Sequence, residues 1–172
     1  MSDAREMDRR FFAQSAAAAV IGATLLPAEV EAQDAGRTLR SELLMDVVFD
    51  VATPHNLGTR MIVPVTGGTF TGPKLKGTAL SNGGDWIVRR PDGASLLNVR
   101  ATLKTDDDQL IYMTYDGIMY TPPGATPADM YWRTTPRFET ASEKYAWITR
   151  IIAVGIGVPT PGKAAYRVFQ IL

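Results

Sequence analysis

The sequence predicts an all-β protein, a single antiparallel β-barrel of about nine strands. Three observations carry this. From Glu42 onward the apolar residues recur with a period of two rather than 3.6, the signature of strands with two unlike faces. Turn-forming clusters separate the short alternating runs, with no repeat period. After residue 33, no stretch carries a long amphipathic helix pattern. Many short strands leave open edges unless the sheet closes on itself, so a barrel is preferred to a two-sheet sandwich.

The elements follow in order. Ser41 to Val51, "SELLMDVVFDV", is a first strand rich in β-branched residues and ends at the turn-like "TPHNLG". Thr59 to Val65 runs into Gly67 and Gly68, Lys74 to Leu80 into "SNGG", and Asp85 to Arg90 into "PDG", which reads as three successive hairpin signals. Ala94 to Thr105 alternates cleanly: Leu97, Val99, Ala101 and Leu103 share one face, and Asn98, Arg100, Thr102 and Lys104 the other. The acidic turn Asp106–Asp108 leads into Gln109–Tyr120, where Leu110, Tyr112 and Thr114 oppose Ile111, Met113 and Tyr115, and both faces are partly apolar. "TPPGATPAD" is a long proline-rich loop of the kind that can serve as a lid. Met130–Thr140, Tyr145–Ile156 and Ala164–Leu172 complete the strands.

Composition narrows the chemistry. The 172 residues carry 18 basic and 18 acidic side chains, with no long single-sign block to steer nucleic acid or anionic lipid. Cysteine is absent, which excludes disulfides, thiolate catalysis and thiolate metal sites. The single histidine, His55, sits in a turn-rich stretch and reads as a solvated loop residue, so a multi-imidazole metal site is excluded. "DDDQ" lacks the spacing of a calcium loop, and "GGTFTG" lacks the lysine and following helix of a phosphate loop. No metal, flavin or nucleotide cofactor is expected.

The first residues read as an address. Arg9 and Arg10 precede an apolar run from Ala16 to Leu26 and a small-residue exit at "VEA", a pattern similar to a twin-arginine export signal. Asp8 before the pair and Ala13 after the two phenylalanines depart from the usual pattern. The apolar run is short of the ~20 strongly apolar residues of a stable span, so cleavage after Ala32 and no lasting membrane insertion are expected. The organisation is then a signal over 1–32, a short linker over 33–41 and a barrel over 42–172, periplasmic or secreted.

Several phrases occur together and in order: "GTRMIVPVTGGTFTGPKLKGTAL", "GGDW", "RPDG", "TLKTDDDQLIYM", "YWRTTPRFET", "YAWITR" and "YRVFQIL". They resemble the family of small bacterial and fungal proteins called DUF3237 or UPF0311, over roughly Leu43 to Leu172. The resemblance implies a compact, calycin-like barrel that can pair as a homodimer, with no general catalytic assignment. Ala101, Asp108 and Thr149 stand where the family pattern usually has an aromatic, a glycine and an amide.

Without thiol or imidazole, acid–base chemistry falls to carboxylates, tyrosines and arginines. Asp85 beside Trp86 is the first candidate, because a carboxylate against an apolar ring loses solvation and its pKa rises; a turn-capping aspartate is the plainer reading of the same residue. Arg100 and Arg133 can clamp a developing oxyanion if they point inward, and Arg133 shares a strand face with Tyr131, Thr135 and Arg137. Alternation defines two faces without saying which is inside. Asp85, Arg100, Tyr112 and Arg133 are thus the candidate catalytic groups, and Trp86, Thr135, Tyr145 and Trp147 the candidate ligand-binding ones. The expected function is a cofactor-independent isomerase, cyclase, lyase or hydratase acting on a small aromatic or carbonyl compound; the alternative is a carrier or sensor that binds such a molecule unchanged.

Overall fold

The computed structural model describes residues 38–172. The segment 1–32 expected to be a signal, and most of the linker after it, lie outside the described residues. The strands are β1 (Ser41–Val51), β2 (His55–Asn56), β3 (Arg60–Thr71), β4 (Lys76–Ala79), β5 (Gly83–Arg89), β6 (Ser95–Thr105), β7 (Leu110–Tyr120), β8 (Tyr131–Glu139), β9 (Ala153–Val158) and β10 (Lys163–Ile171). All pairings are antiparallel, and the sheet runs β1-β10-β9-β8-β7-β6 and on through β4 and β5 to β3. β1 then pairs with β3 as well as with β10, which closes the barrel. Closure removes the free edges that so many short strands would otherwise expose.

β4 and β5 together fill one position in the wall. Thr78 faces Thr69 and Gly83 faces Val65 along β3, while Ala79 faces Leu103 and Gly84 faces Arg100 along β6. The barrel is therefore eight-stranded, with β2 as a short addition outside it. "SNGG" is correspondingly a kink within one strand position and not a hairpin.

Gly67 and Gly68 correct the sequence reading in the same way, for they lie in the middle of β3. A Cβ on Gly68 would stand 2.3 Å from the Val48 carbonyl oxygen, and its φ of 148° suits glycine. The pair marks the close approach of β1 and β3 that closes the barrel, and the turn comes later, where Gly72 N–H donates to Leu75 O at 2.8 Å.

The third correction is Glu143–Arg150, expected as part of a strand and folded as a 3-10 helical stretch. Its buried residues, Tyr145 and Ile148, are three apart, the spacing of a 3-10 turn. They plug one end of the barrel. There the Tyr145 hydroxyl and the Thr105 hydroxyl both donate to Asp107 Oδ1, at 2.9 and 2.6 Å, and Lys144 Nζ lies 2.6 Å from Oδ2. Lys144 first, then the two hydroxyls, hold the Asp107 carboxyl well below the usual carboxylate range. The acidic turn is thus more than a solvated connection, since its middle residue fastens the plug.

The core fills from this end. Leu103, Ile111, Met113, Phe138 and Val168 are all buried, on the alternate strand positions that face the barrel axis, and Ile148 is buried with them from the plug. At the other end of the same strands, near Val51, Ile87, Leu97, Met119 and Trp132, the filling stops and a cavity remains.

Candidate functional site

The cavity has a volume of about 160 Å³ and mostly apolar walls. Asp85 from β5, Tyr115 from β7 and Tyr166 from β10 line it with polar groups, and Trp132 and the ion-paired Lys163 line it as well. Each of the first three shares its strand's inward face with core residues: Asp85 with Ile87, Tyr115 with Ile111 and Met113, and Tyr166 with Val168.

Asp85 is held by a defect in the wall. The β5–β6 ladder pairs Asp85 with Val99 and resumes at Val88 with Leu96, skipping the two positions between. The Asn98 N–H that a regular ladder would pair is donated to Asp85 Oδ1 at 3.0 Å. Oδ2 has no hydrogen-bond partner among the described residues. Burial raises the Asp85 pKa to about 6, partly offset by the Asn98 N–H. The turn-capping reading of Asp85 is thereby replaced: it does satisfy a backbone N–H, but inside the barrel, with one oxygen left over.

The two phenols stay protonated. Burial, followed by the proximity of Tyr166 and Asp85, pushes Tyr115 well above its ordinary value. Burial likewise raises Tyr166, with Tyr115 and Trp132 opposing the rise and the Asp85 charge adding to it. Their rings meet edge to face at 5.3 Å, and Trp132 meets Tyr166 at 5.0 Å and 74°. The Trp132 indole N–H is buried with no acceptor in hydrogen-bond geometry. Trp132 fits because β9 has Gly157 beneath it, where a Cβ would come 2.0 Å from the ring.

The other candidates lie elsewhere. Arg100 points out of the barrel, stacks over Trp86 at 5.3 Å and donates to Asn98 Oδ1 at 2.7 Å. Trp86, next to inward Asp85, is on the outer face by strand alternation. Arg133 is also on the outside, over Tyr131 at 5.1 Å and donating to the Trp132 carbonyl at 2.9 Å. Tyr112 is 37% exposed, and Thr135 lies outside with its hydroxyl 3.4 Å from Asp116 O. Tyr145 belongs to the plug, and Trp147 packs on the core beside it with Lys74 over its ring at 5.4 Å. Val99, beside Asp85, and Thr105, at the plug, are six residues apart, about 20 Å along the strand. The inward-arginine expectation is therefore corrected: the extended β6 and β8 give these arginines to solvent, where a guanidinium keeps its hydration, and the inner polar groups are phenols.

Sequence reasoning brought out Asp85 and missed Tyr115, Tyr166 and Trp132. The signal for Tyr115 was present, since it continues the Ile111, Met113 series that matches the fully apolar face of β6.

No group of acidic or histidine residues among the described ones is placed to hold a metal ion. A family model described as "Protein of unknown function (DUF3237)" matches residues 38–171. A UPF0311 protein of Rhodopseudomonas palustris is 30% identical, with 73% of this chain and 90% of the relative covered. A crystal structure of a β-barrel-like protein from Acinetobacter baumannii is similar with a TM-score of 0.74 and 32% identity, over 78% of this chain and 97% of that one. A crystal structure of an enzyme from Penicillium herquei shares the fold with a TM-score of 0.63 at 22% identity, over 78% and 95%.

Proposed function

We propose, for this chain, which belongs to the DUF3237 family, that the barrel is a cofactor-independent acid–base enzyme acting on a small carbonyl or phenolic compound. The observation that carries this reading is geometric: the Asp85 carboxyl, with only Oδ1 engaged, and the Tyr115 and Tyr166 phenols line one apolar cavity; burial raises the Asp85 pKa to about 6 and keeps both phenols protonated. Groups driven apart in pKa take opposite roles: the carboxylate moves a proton, and the phenols hydrogen-bond the oxygen where charge develops. Asp85 Oδ2 accepts a proton from the carbon next to a carbonyl as that C–H bond breaks. The electron pair moves to the carbonyl oxygen as an enolate held by Tyr115 and Tyr166, and the proton then returns from Asp85 to another carbon of the same molecule. The net change is an isomerisation, or a ring closure or elimination where a neighbouring oxygen adds or leaves.

The test is exchange of α-hydrogen for deuterium in small cyclic ketones incubated with the protein in heavy water, read by mass spectrometry. Catalysed exchange that disappears in Asp85→Asn supports the reading. Saturable binding of the same ketones without exchange refutes it and leaves a carrier.

Two further expectations belong to the proposal. Export in the folded state is supported by Arg9, Arg10 and the apolar run after them, and lysines at both arginines then leave the protein in the cytoplasmic fraction. Pairing of two copies is supported by the outer groove over β6 to β9, about 740 Å³, lined by Leu96, Ile118 and Tyr131. Asp116 and Arg133 border it, and neither has an ion pair among the described residues, so a two-fold partner can match acid to base. Light scattering that reports a monomer, unchanged by Ile118→Lys, rules the pairing out.

A further inference from the structure

We propose that the cavity selects neutral compounds of a single ring bearing one oxygen, and turns away carboxylates and fused two-ring compounds. The inference rests on the acid–base reading of the same site and adds the class of molecule it accepts.

Size is the first argument. The cavity measures about 160 Å³, and an apolar cavity of about 150 Å³ holds one benzene ring. Barrel walls set that limit at Val99, which is paired with Asp85 on one side and Tyr115 on the other, and at Val63, paired with Asp85, so neither can withdraw without opening a ladder.

Charge is the second. Asp85 is the acid in the wall, and its free oxygen already faces the space a ligand would fill. Lys163 is the one basic residue among those lining the cavity, and it is ion-paired with Asp50, its cross-strand neighbour on β1. The arginines that could have neutralised a bound carboxylate stand outside the barrel. A carboxylate entering this space would meet Asp85 with no free cation to compensate, in surroundings too dry to screen the repulsion.

Polarity is the third. The donors Tyr115 and Tyr166 sit together, so the ligand oxygen has one place to go and the remainder of the ring must rest on apolar walls. A ring with one carbonyl or hydroxyl group fits that division.

The test is a calorimetric or NMR titration at roughly pH 8 with four probes, phenol, 2-cyclohexenone, benzoate and 2-naphthol, against the wild type and Asp85→Asn. Asparagine keeps an oxygen for the Asn98 N–H, so the variant is expected to fold. The two neutral single rings should bind, benzoate at least about tenfold more weakly and naphthol no better than phenol. In Asp85→Asn the penalty on benzoate should shrink to within about threefold. Benzoate or naphthol binding the wild type as well as phenol, an unchanged benzoate penalty in the variant, or no saturable binding of either neutral ring at millimolar concentration, each overturns the proposal. Its failure is separate from that of the acid–base reading: selective binding without deuterium exchange removes the reaction and keeps the ligand class, whereas exchange of larger or anionic ketones does the reverse.

Discussion

Asn98 gives its backbone N–H to Asp85 across a gap in the β5–β6 ladder, at 3.0 Å, so the same carboxyl that faces the cavity also completes the wall. The two duties explain which substitution is informative. Leucine at 85 would leave a buried N–H without an acceptor, at a cost of about 1–3 kcal/mol, and confuse loss of structure with loss of function. Asparagine keeps the acceptor and removes only the charge and the proton traffic.

The raised Asp85 pKa makes a prediction for stability. The carboxyl titrates at about 6 in the barrel against an ordinary 3.8. Between those values the folded protein binds the proton that the unfolded chain has released, so the stabilisation is complete below the unfolded value and is lost as pH rises through 6. The difference corresponds to about 3 kcal/mol. Denaturant midpoints should therefore fall between pH 4 and pH 8 by an amount that Asp85→Asn abolishes, and at pH 8 the variant should be the more stable protein. A variant with the same pH slope as the wild type would mean that the charge is solvated.

Removal of one phenol tests the donor pair. Tyr115→Phe and Tyr166→Phe each keep the ring packing and delete one hydroxyl of the pair proposed to hold the oxyanion. Loss of one such donor costs roughly 10²–10³ in rate at a preorganised site, more than the loss in ligand affinity expected from one neutral hydrogen bond of about 0.5–1.5 kcal/mol. Exchange rates and calorimetric binding measured on the same variants separate the two, and rates within a few-fold of wild type would take the phenols out of the mechanism.

The architecture was legible because alternation in β6 is unbroken: Leu97, Val99, Ala101 and Leu103 can occupy one face only, and that face is the core. In β7, aromatic residues stand on both faces, and periodicity could not choose between Tyr112 and Tyr115; the choice came from pairing Ala101 with Met113 and Val99 with Tyr115. Gly67 and Gly68 misled for a related reason. A glycine pair marks any place where a side chain does not fit, whether that is a tight turn or two strands pressed together, and only the partner strand distinguishes them. Asp85 was singled out for the Trp86 ring beside it in the sequence, yet Trp86 lies on the outer face and the burial of Asp85 comes from the barrel interior; Tyr166 was hidden in a closing strand with no polar neighbour pattern of its own.

Outward residues supply the control. Arg100→Gln loses the stacking on Trp86, and Tyr112→Phe loses a hydroxyl exposed to water. Surface changes of this kind are worth within about 0.5–1 kcal/mol of stability. Both variants should exchange deuterium within about threefold of wild type. A hundredfold loss in Arg100→Gln would instead place the guanidinium in the reaction and contradict its outward position.

Gly157 and Trp132 offer a test of how the cavity wall is set. A methyl group at 157 would stand 2.0 Å from Trp132 Cδ2, too close for both to remain, and β9 is fixed between β8 and β10. The indole must therefore move, and its edge-on packing against Tyr166 moves with it. Gly157→Ala should cost about 1–3 kcal/mol by overpacking and weaken phenol binding. In a Trp132→Ala background the same methyl group meets an empty space and should cost little. The coupling between the two positions, read from denaturant unfolding of all four proteins, is then of the same size as the single-mutant cost. Additive effects would show that Gly157 is needed for its backbone and not for the seat it gives the indole.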